Sequence, residues 1–156
     1  MEQTLVIIKP DAVARRLVGE ITARFEKKGL SIKGLKLTKL SEALVRKHYE
    51  PHKGKHFYEP LVQFMIKAPV VLMVIEGIDA ITVVRKMMGK TSCREAEPGT
   101  IRGDFGMSNR FNLIHGSDSP ESAEKEIGLF FSKNELIETT APDMNWVYDI
   151  CGDSIV

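Results

Sequence analysis

The chain has 156 residues, of which 43% are hydrophobic and 28% charged, and its 22 Lys and Arg against 21 Asp and Glu leave a formal charge of +1. That length and composition fit one ordinary globular domain. The charge balance excludes a bulk polyanion binder, which needs a basic face, so any anion must be gripped locally.

Thr4 to Ile8 is a short apolar run and reads as a buried strand, ended by Pro10. Val18, Ile21 and Phe25 recur at helical spacing before the stop signal Gly29, which predicts a helix over 18–28. From Ser31 to Lys39 the pattern alternates, as in a strand with one wet face. Two helical stretches follow. Ser41 caps one that ends near Tyr49, and the other runs from Phe57 to Lys67 with Leu61, Phe64 and Met65 inward; Pro51 and Gly54 break the chain between them.

Pro69 to Glu76 (PVVLMVIE) is the strongest strand signal. Asp79 is placed to cap the next helix, which has Ala80, Val84, Met87 and Met88 on one face and Gly89 at its end. From Gly89 to Arg110 the periodicity disappears, and loops of that length inside a compact domain are usually functional. Phe111 to His115 reads as a short strand. Ser119 and Pro120 then start a helix with Ala123, Ile127, Phe130 and Phe131 on its apolar face. The tail from Ser132 is irregular.

Without the middle helical pair, the order is βαββαβ. That is the ferredoxin-like plan of the α+β class, a four-stranded antiparallel sheet with helices on one face, here carrying an inserted helical pair and a long active-site loop. Residues 1–149 are read as one domain and 150–156 as a short extension. The start lacks the pattern of a secretory signal, and no apolar run approaches the ~20 residues of a membrane span. Cys93 and Cys151 fit no metal spacing and no CxxC pair, so a reducing cytoplasm is expected.

Three suggestive patterns carry little. Gly89-Lys90-Thr91 ends like a phosphate-binding loop, but Val84 stands where the first glycine belongs and a helix precedes it. His48, His52 and His56 are spaced by four, but Pro51 and Gly54 interrupt that helix, so they are read as surface groups. Arg102-Gly103-Asp104 spells an adhesion tripeptide in a chain with no secretory signal.

His115 ends a strand, and Gly116 to Ser119 lead into a helix start. Glycine allows close backbone approach, a helix N-terminus favours negative charge, and a neutral imidazole is a nucleophile at physiological pH. Glu126, seven residues into that helix, can reach the imidazole and set its tautomer. The other reading is a structural histidine bonded in the turn, and the residue types alone leave both open. Lys9, Arg85, Thr91, Arg102 and Asn112 lie on different elements and could converge on a polyphosphate. Tyr49 and Phe57 sit at the breaks of the helical pair.

The run Asn112-Leu-Ile-His115-Gly-Ser-Asp118 resembles the N-x-x-H-G-S-D signature of nucleoside diphosphate kinases. Four further stretches match in order: Ile8 to Asp11, Gly19 to Ile21, Pro98 to Phe105 and Ser122 to Ile127. The resemblance implies a ping-pong transfer of the γ-phosphoryl of ATP or another nucleoside triphosphate to a nucleoside diphosphate through a phosphohistidine. It implies that His115 is phosphorylated on Nδ1, that Glu126 and Ser117 orient it, and that Lys9 and Tyr49 contact the transferred group. Arg85, Thr91 and Arg102 would hold the distal phosphates, Asn112 the ribose 3′-hydroxyl, and Phe57 the base. Mg²⁺ would bridge the phosphates with no direct protein ligand. A homo-oligomer is implied, a hexamer rather than a tetramer, with no membrane and no specific nucleic acid as partner. Two departures stand out: Ser92-Cys93 replaces the family's Asn-Pro or Asp-Pro, and Lys55-His56 its Arg-Pro. The competing reading is a catalytically weak ferredoxin-like module that binds nucleotides or nucleic acid, as RRM domains do with aromatics on an open sheet face.

Overall fold

The computed structural model describes residues 1–138, 141–151 and, for the backbone, 154–155. Four strands form one antiparallel sheet: β1 (Glu2–Ile8), β2 (Ser31–Thr38), β3 (Val70–Gly77) and β4 (Ile114–Gly116), in the order β2-β3-β1-β4. That is the expected ferredoxin-like topology.

Alternation assigns each strand residue to a face. Val6, Ile8, Val71, Met73 and Ile75 pack against Ile21 and Phe25 of α2 (Val18–Lys27) and Val84 and Met88 of α5 (Ala80–Met88). Leu5, Ile7, Leu72 and Val74 face the other way. There they meet Val45 of α3 (Glu42–His48), Val62 and Met65 of α4 (Tyr58–Lys67) and Phe130 of α7 (Pro120–Phe130). Helices therefore cover both faces, not one. Burial on both sides is why β1 and β3 read as unbroken apolar runs, each large side chain contributing about 1.5–3 kcal/mol. Among the described residues, the central strands β1 and β3 therefore present no open face on which nucleic-acid bases could stack, and the competing reading is not favoured.

β2 is an edge strand and differs. Leu35 is 51% exposed and Leu37 65%, so the wet face expected there carries leucines.

Local corrections have local causes. Pro10 ends β1 and also opens a short helix, α1 (Pro10–Ala14), as the first-position preference allows. On α4 the inward residues are Val62 and Met65, with Leu61 and Phe64 only partly buried. Asp79 has φ 49° and makes no side-chain cap. Glu2 of β1 accepts the Ile81 N–H at 2.8 Å instead. The patternless loop contains a 3₁₀ turn at Cys93–Glu95 and α6 (Ile101–Phe105), capped by Thr100. β4 starts at Ile114, not Phe111, because Leu113 has φ 71° and breaks the extended run.

Ser119 accepts the Ser122 N–H at 3.1 Å and Pro120 takes the first position of α7, as expected. Beyond α7, the chain forms α8 (Met144–Val147) and a two-residue pairing of β5 (Ile150–Cys151) with β6 (Ser154–Ile155). The remainder of the 150–156 segment lies outside the described residues.

Candidate active site

The end of β1, the turn after β4 and the first half of α7 meet beside a cavity of about 940 Å³. Nine of the ten expected site residues line it: Lys9, Tyr49, Phe57, Arg85, Thr91, Arg102, Asn112, His115 and Glu126. The tenth, Ser117, is fully buried behind it.

Hydrogen bonds tie the chemistry to the sheet. His115 pairs with Ile7 of β1, and its Nε2 lies 3.2 and 3.1 Å from the two carboxylate oxygens of Glu126. Ser117 donates to Glu126 Oε2 at 2.6 Å and accepts the Leu5 N–H at 3.2 Å. Burial works against the Glu126 charge, but the bonds from His115 and Ser117 prevail and hold the carboxyl below its usual range. A carboxylate facing Nε2 places the proton on that nitrogen. Nδ1 is left with its lone pair and takes no part in the Glu126 contact.

The cations approach from several elements. Lys9 is 7% exposed and donates to Asn112 Oδ1 at 2.6 Å. Burial, with Arg102 nearby, lowers its pKa to about 8. Arg85 reaches the Gly116 carbonyl at 3.3 Å from the helix above. Arg102 is largely committed to the backbone: its guanidinium donates to the carbonyls of Asn112, Gly89 and Ile114 at 3.1, 2.9 and 2.7 Å. It locks the loop to β4 while facing the cavity.

Phe57 is 40% exposed at the mouth. The rings of His52 and His56 each stand 5.5 Å away at steep angles, and Lys55 Nζ lies 5.7 Å above its face. The departure at Lys55-His56 thus supplies a frame for the exposed ring. At the other departure, Cys93 is buried, donates to the Ser108 carbonyl and packs against Gly106, where a Cβ would collide with its sulfur. That contact ties the loop at Cys93 to Ser108 and Gly106.

Sequence reasoning missed two residues here. The side chain of His48 is 2% exposed and its ring is edge-on to His115 at 4.8 Å, so it is no surface group. Its only sequence signal was the spacing with His52 and His56, which also line the cavity but as ring neighbours. Asp11 accepts the Leu113 N–H at 3.1 Å while Lys9 N–H donates to the Leu113 carbonyl at 2.8 Å. The two clamp a residue held in the left-handed region, between Asn112 and His115. Burial raises the Asp11 carboxyl pKa, against the bond from Leu113.

A divalent cation has few partners. The ligand atoms of His48, His115 and Glu126 lie within 4.8 Å of one another, a nitrogen-rich set unsuited to Mg²⁺. Glu126 is already engaged, so Asp118 is the one uncommitted carboxylate among the described residues lining the cavity.

The sequence profile of the family "Nucleoside diphosphate kinase" matches residues 2–136. The chain is 55% identical over 148 residues to the nucleoside diphosphate kinase of Bacillus licheniformis, covering 95% of this chain and all of that one. It is 57% identical over 141 residues to that of Pyrococcus furiosus, covering 88% of each. A halophilic nucleoside diphosphate kinase from Halobacterium salinarum, solved in complex with CDP, superposes with a TM-score of 0.93 at 45% identity, covering 95% of this chain and 99% of that one. A nucleoside diphosphate kinase family protein from Babesia bovis gives 0.92 at 41% identity, covering 95% and 100%. The chain belongs to the nucleoside diphosphate kinase family and transfers phosphoryl groups between nucleoside tri- and diphosphates.

The Asp11 clamp makes a prediction. Asp11→Ala should leave the fold intact and lower kcat about 10- to 100-fold, since Asn112 and His115 lose their fixed approach. Steady-state kinetics beside a circular dichroism spectrum checks it; wild-type kcat would remove the clamp from the mechanism.

Proposed function

We propose that this chain moves the γ-phosphoryl group of a nucleoside triphosphate onto His115 and then onto a nucleoside diphosphate. The observation that carries this reading is the Glu126 carboxylate, which engages Nε2 of His115 and Ser117 together and leaves Nδ1 as the free nitrogen beside a cation-lined cavity.

Nδ1 attacks the γ-phosphorus in line. The Nδ1–P bond forms, the bond to the β–γ bridging oxygen breaks, and the nucleoside diphosphate leaves with that oxygen. The ring takes up positive charge, which the Glu126 carboxylate opposes. In the second half a β-phosphate oxygen of the incoming diphosphate attacks the same phosphorus and returns His115 to its neutral state. The protein supplies position and charge, which is most of what phosphoryl transfer requires.

Lys9 and Tyr49 flank the transferred group. Burial keeps the Tyr49 phenol protonated, and its hydroxyl has no partner among the described residues, so it is free to donate. Arg85, Thr91 and Arg102 hold the distal phosphates, Asn112 the ribose 3′-hydroxyl, and Phe57 the base. Stacking on Phe57 accepts any base, so base selectivity is low. Asp118, the uncommitted carboxylate of the cavity, would help hold a nucleotide-bound Mg²⁺, which would supply charge neutralisation for the phosphates.

The exposed Leu35 and Leu37 on the open edge of β2 support assembly into a homo-oligomer, which we read as a hexamer built from dimers. Residues 1–149 form the catalytic domain and 150–156 an extension. Both cysteines are free, and no helix among the described residues is long and apolar enough to cross a membrane. These features support a cytoplasmic location.

Three measurements check this reading. Protein mixed with γ-labelled ATP and Mg²⁺ should retain acid-labile, alkali-stable label and release it to unlabelled GDP; His115→Ala should retain none, and turnover by that variant would remove His115 from its role. On the alkaline side, kcat/KM should fall above pH about 8, because Lys9 is cationic below its pKa and loses its charge above it. A profile flat to pH 9.5 would show that the Lys9 charge is not needed. Sedimentation velocity should give six subunits for the wild type and smaller species for Leu37→Lys; a monomeric wild type would overturn the assembly.

A further inference from the structure

His48 is the last residue of α3, and the mechanism above does not use it. Its side chain is 2% exposed, and neither ring nitrogen has a hydrogen-bond partner among the described residues. Edges and faces of three rings surround it: Tyr49 at 4.3 Å, His115 at 4.8 Å and Phe130 at 5.2 Å. Leucine or phenylalanine would fill such a place without two buried polar atoms lacking partners, which are costly. The nearest anion is Glu126, whose Oε1 lies 3.8 Å from His48 Nδ1.

We propose that His48 is a positioning residue for phosphoryl transfer, which as a neutral imidazole donates from Nδ1 to Glu126 Oε1 when His115 is phosphorylated and so holds the carboxylate in line with His115 Nε2. The inference rests on the assignment of His115 as the nucleophile.

The geometry supplies the reason. Oε2 of Glu126 already accepts from Ser117 at 2.6 Å, whereas Oε1 has only the 3.2 Å contact from His115. One side of the carboxylate is anchored and the other is loose. A closure of about 0.8 Å turns the His48 contact into an ordinary N–H···O bond and anchors the loose side.

Neutrality of His48 matters as much as its N–H. A charged His48 would take the carboxylate for itself and repel the ring that becomes cationic. Burial keeps it neutral, reinforced by His115, Lys9 and His52 and opposed by Glu126, and its pKa falls to about 3. The tautomer follows from the same neighbour, because a lone pair on Nδ1 would face the carboxylate.

Two variants separate the donor from the ring. His48→Phe keeps the ring contacts and has no N–H; His48→Asn keeps an N–H near the Nδ1 position and has no ring. His48→Phe should melt at or above the wild-type temperature and lose about tenfold in the single-turnover rate of His115 phosphorylation, with KM unchanged. His48→Asn should stay within about threefold of the wild-type rate. Wild-type rate in His48→Phe would overturn the inference, as would equal slowing of both variants, which marks the ring alone. If His48→Phe does not fold, His48→Asn decides alone: tenfold slowing overturns the inference and retention of rate supports it. Wild-type label mapped to His115 is the control. Label elsewhere defeats the nucleophile assignment, while label at His115 with an unaffected His48→Phe defeats only the role of His48.

Discussion

The carboxylate of Glu126 is the point through which the site is assembled. It sits on α7, yet it fixes the ring of His115 on β4 and, through Ser117, reaches the Leu5 amide on β1. Three elements share one charge, and β1 lies far in sequence from β4 and α7. The reason it can do so lies in the sheet. β1 is buried on both faces, so its backbone cannot shift without disturbing two apolar layers. A side chain fastened to that strand, as His115 is through its pairing with Ile7, inherits its rigidity, and rigidity is what preorganised phosphoryl transfer needs.

The cations show how a chain of net charge +1 can bind a polyphosphate. Positive charge is placed by the fold instead of spread over a face. Lys9 is buried against Asn112, Arg85 stands on the helix above, and Arg102 gives three donors to carbonyls. Arg102 is therefore first a brace of the loop, and the donors it retains reach the cavity from a fixed plane. Loss of that residue would dismantle the wall as well as remove a charge, so its effects on binding and on loop order are inseparable in a single substitution.

Much of this was legible in the sequence because it depends on local pattern. The apolar runs of β1 and β3, the Ser119-Pro120 start of α7 and the glycine stops of two helices obey short-range rules, and the blocks around His115 carry the site. What was hidden depends on contacts far along the chain. Glu2 replaces Asp79 at the start of α5 across 79 residues, and Asp11 reaches Leu113 across 102. His48 looked like one of three surface histidines because a periodicity argument cannot see which helix face α7 will cover. The second layer of helices was missed for the same reason, since the inserted pair has an apolar stripe but no signal for the face it meets.

Leu113 joins these themes. A leucine at φ 71° is strained, and it interrupts the strand between Asn112 and His115. A regular strand would send Asn112 and His115 to opposite faces, because they are three residues apart and side chains alternate. The left-handed residue rotates Asn112 out of that register, so that its side chain meets Lys9 while His115 keeps its pairing with Ile7. The strain persists because Asp11 binds the Leu113 amide, Lys9 binds its carbonyl, and its side chain is fully buried in the core. Backbone distortion at this point is the means by which an edge strand presents two functional groups to one cavity.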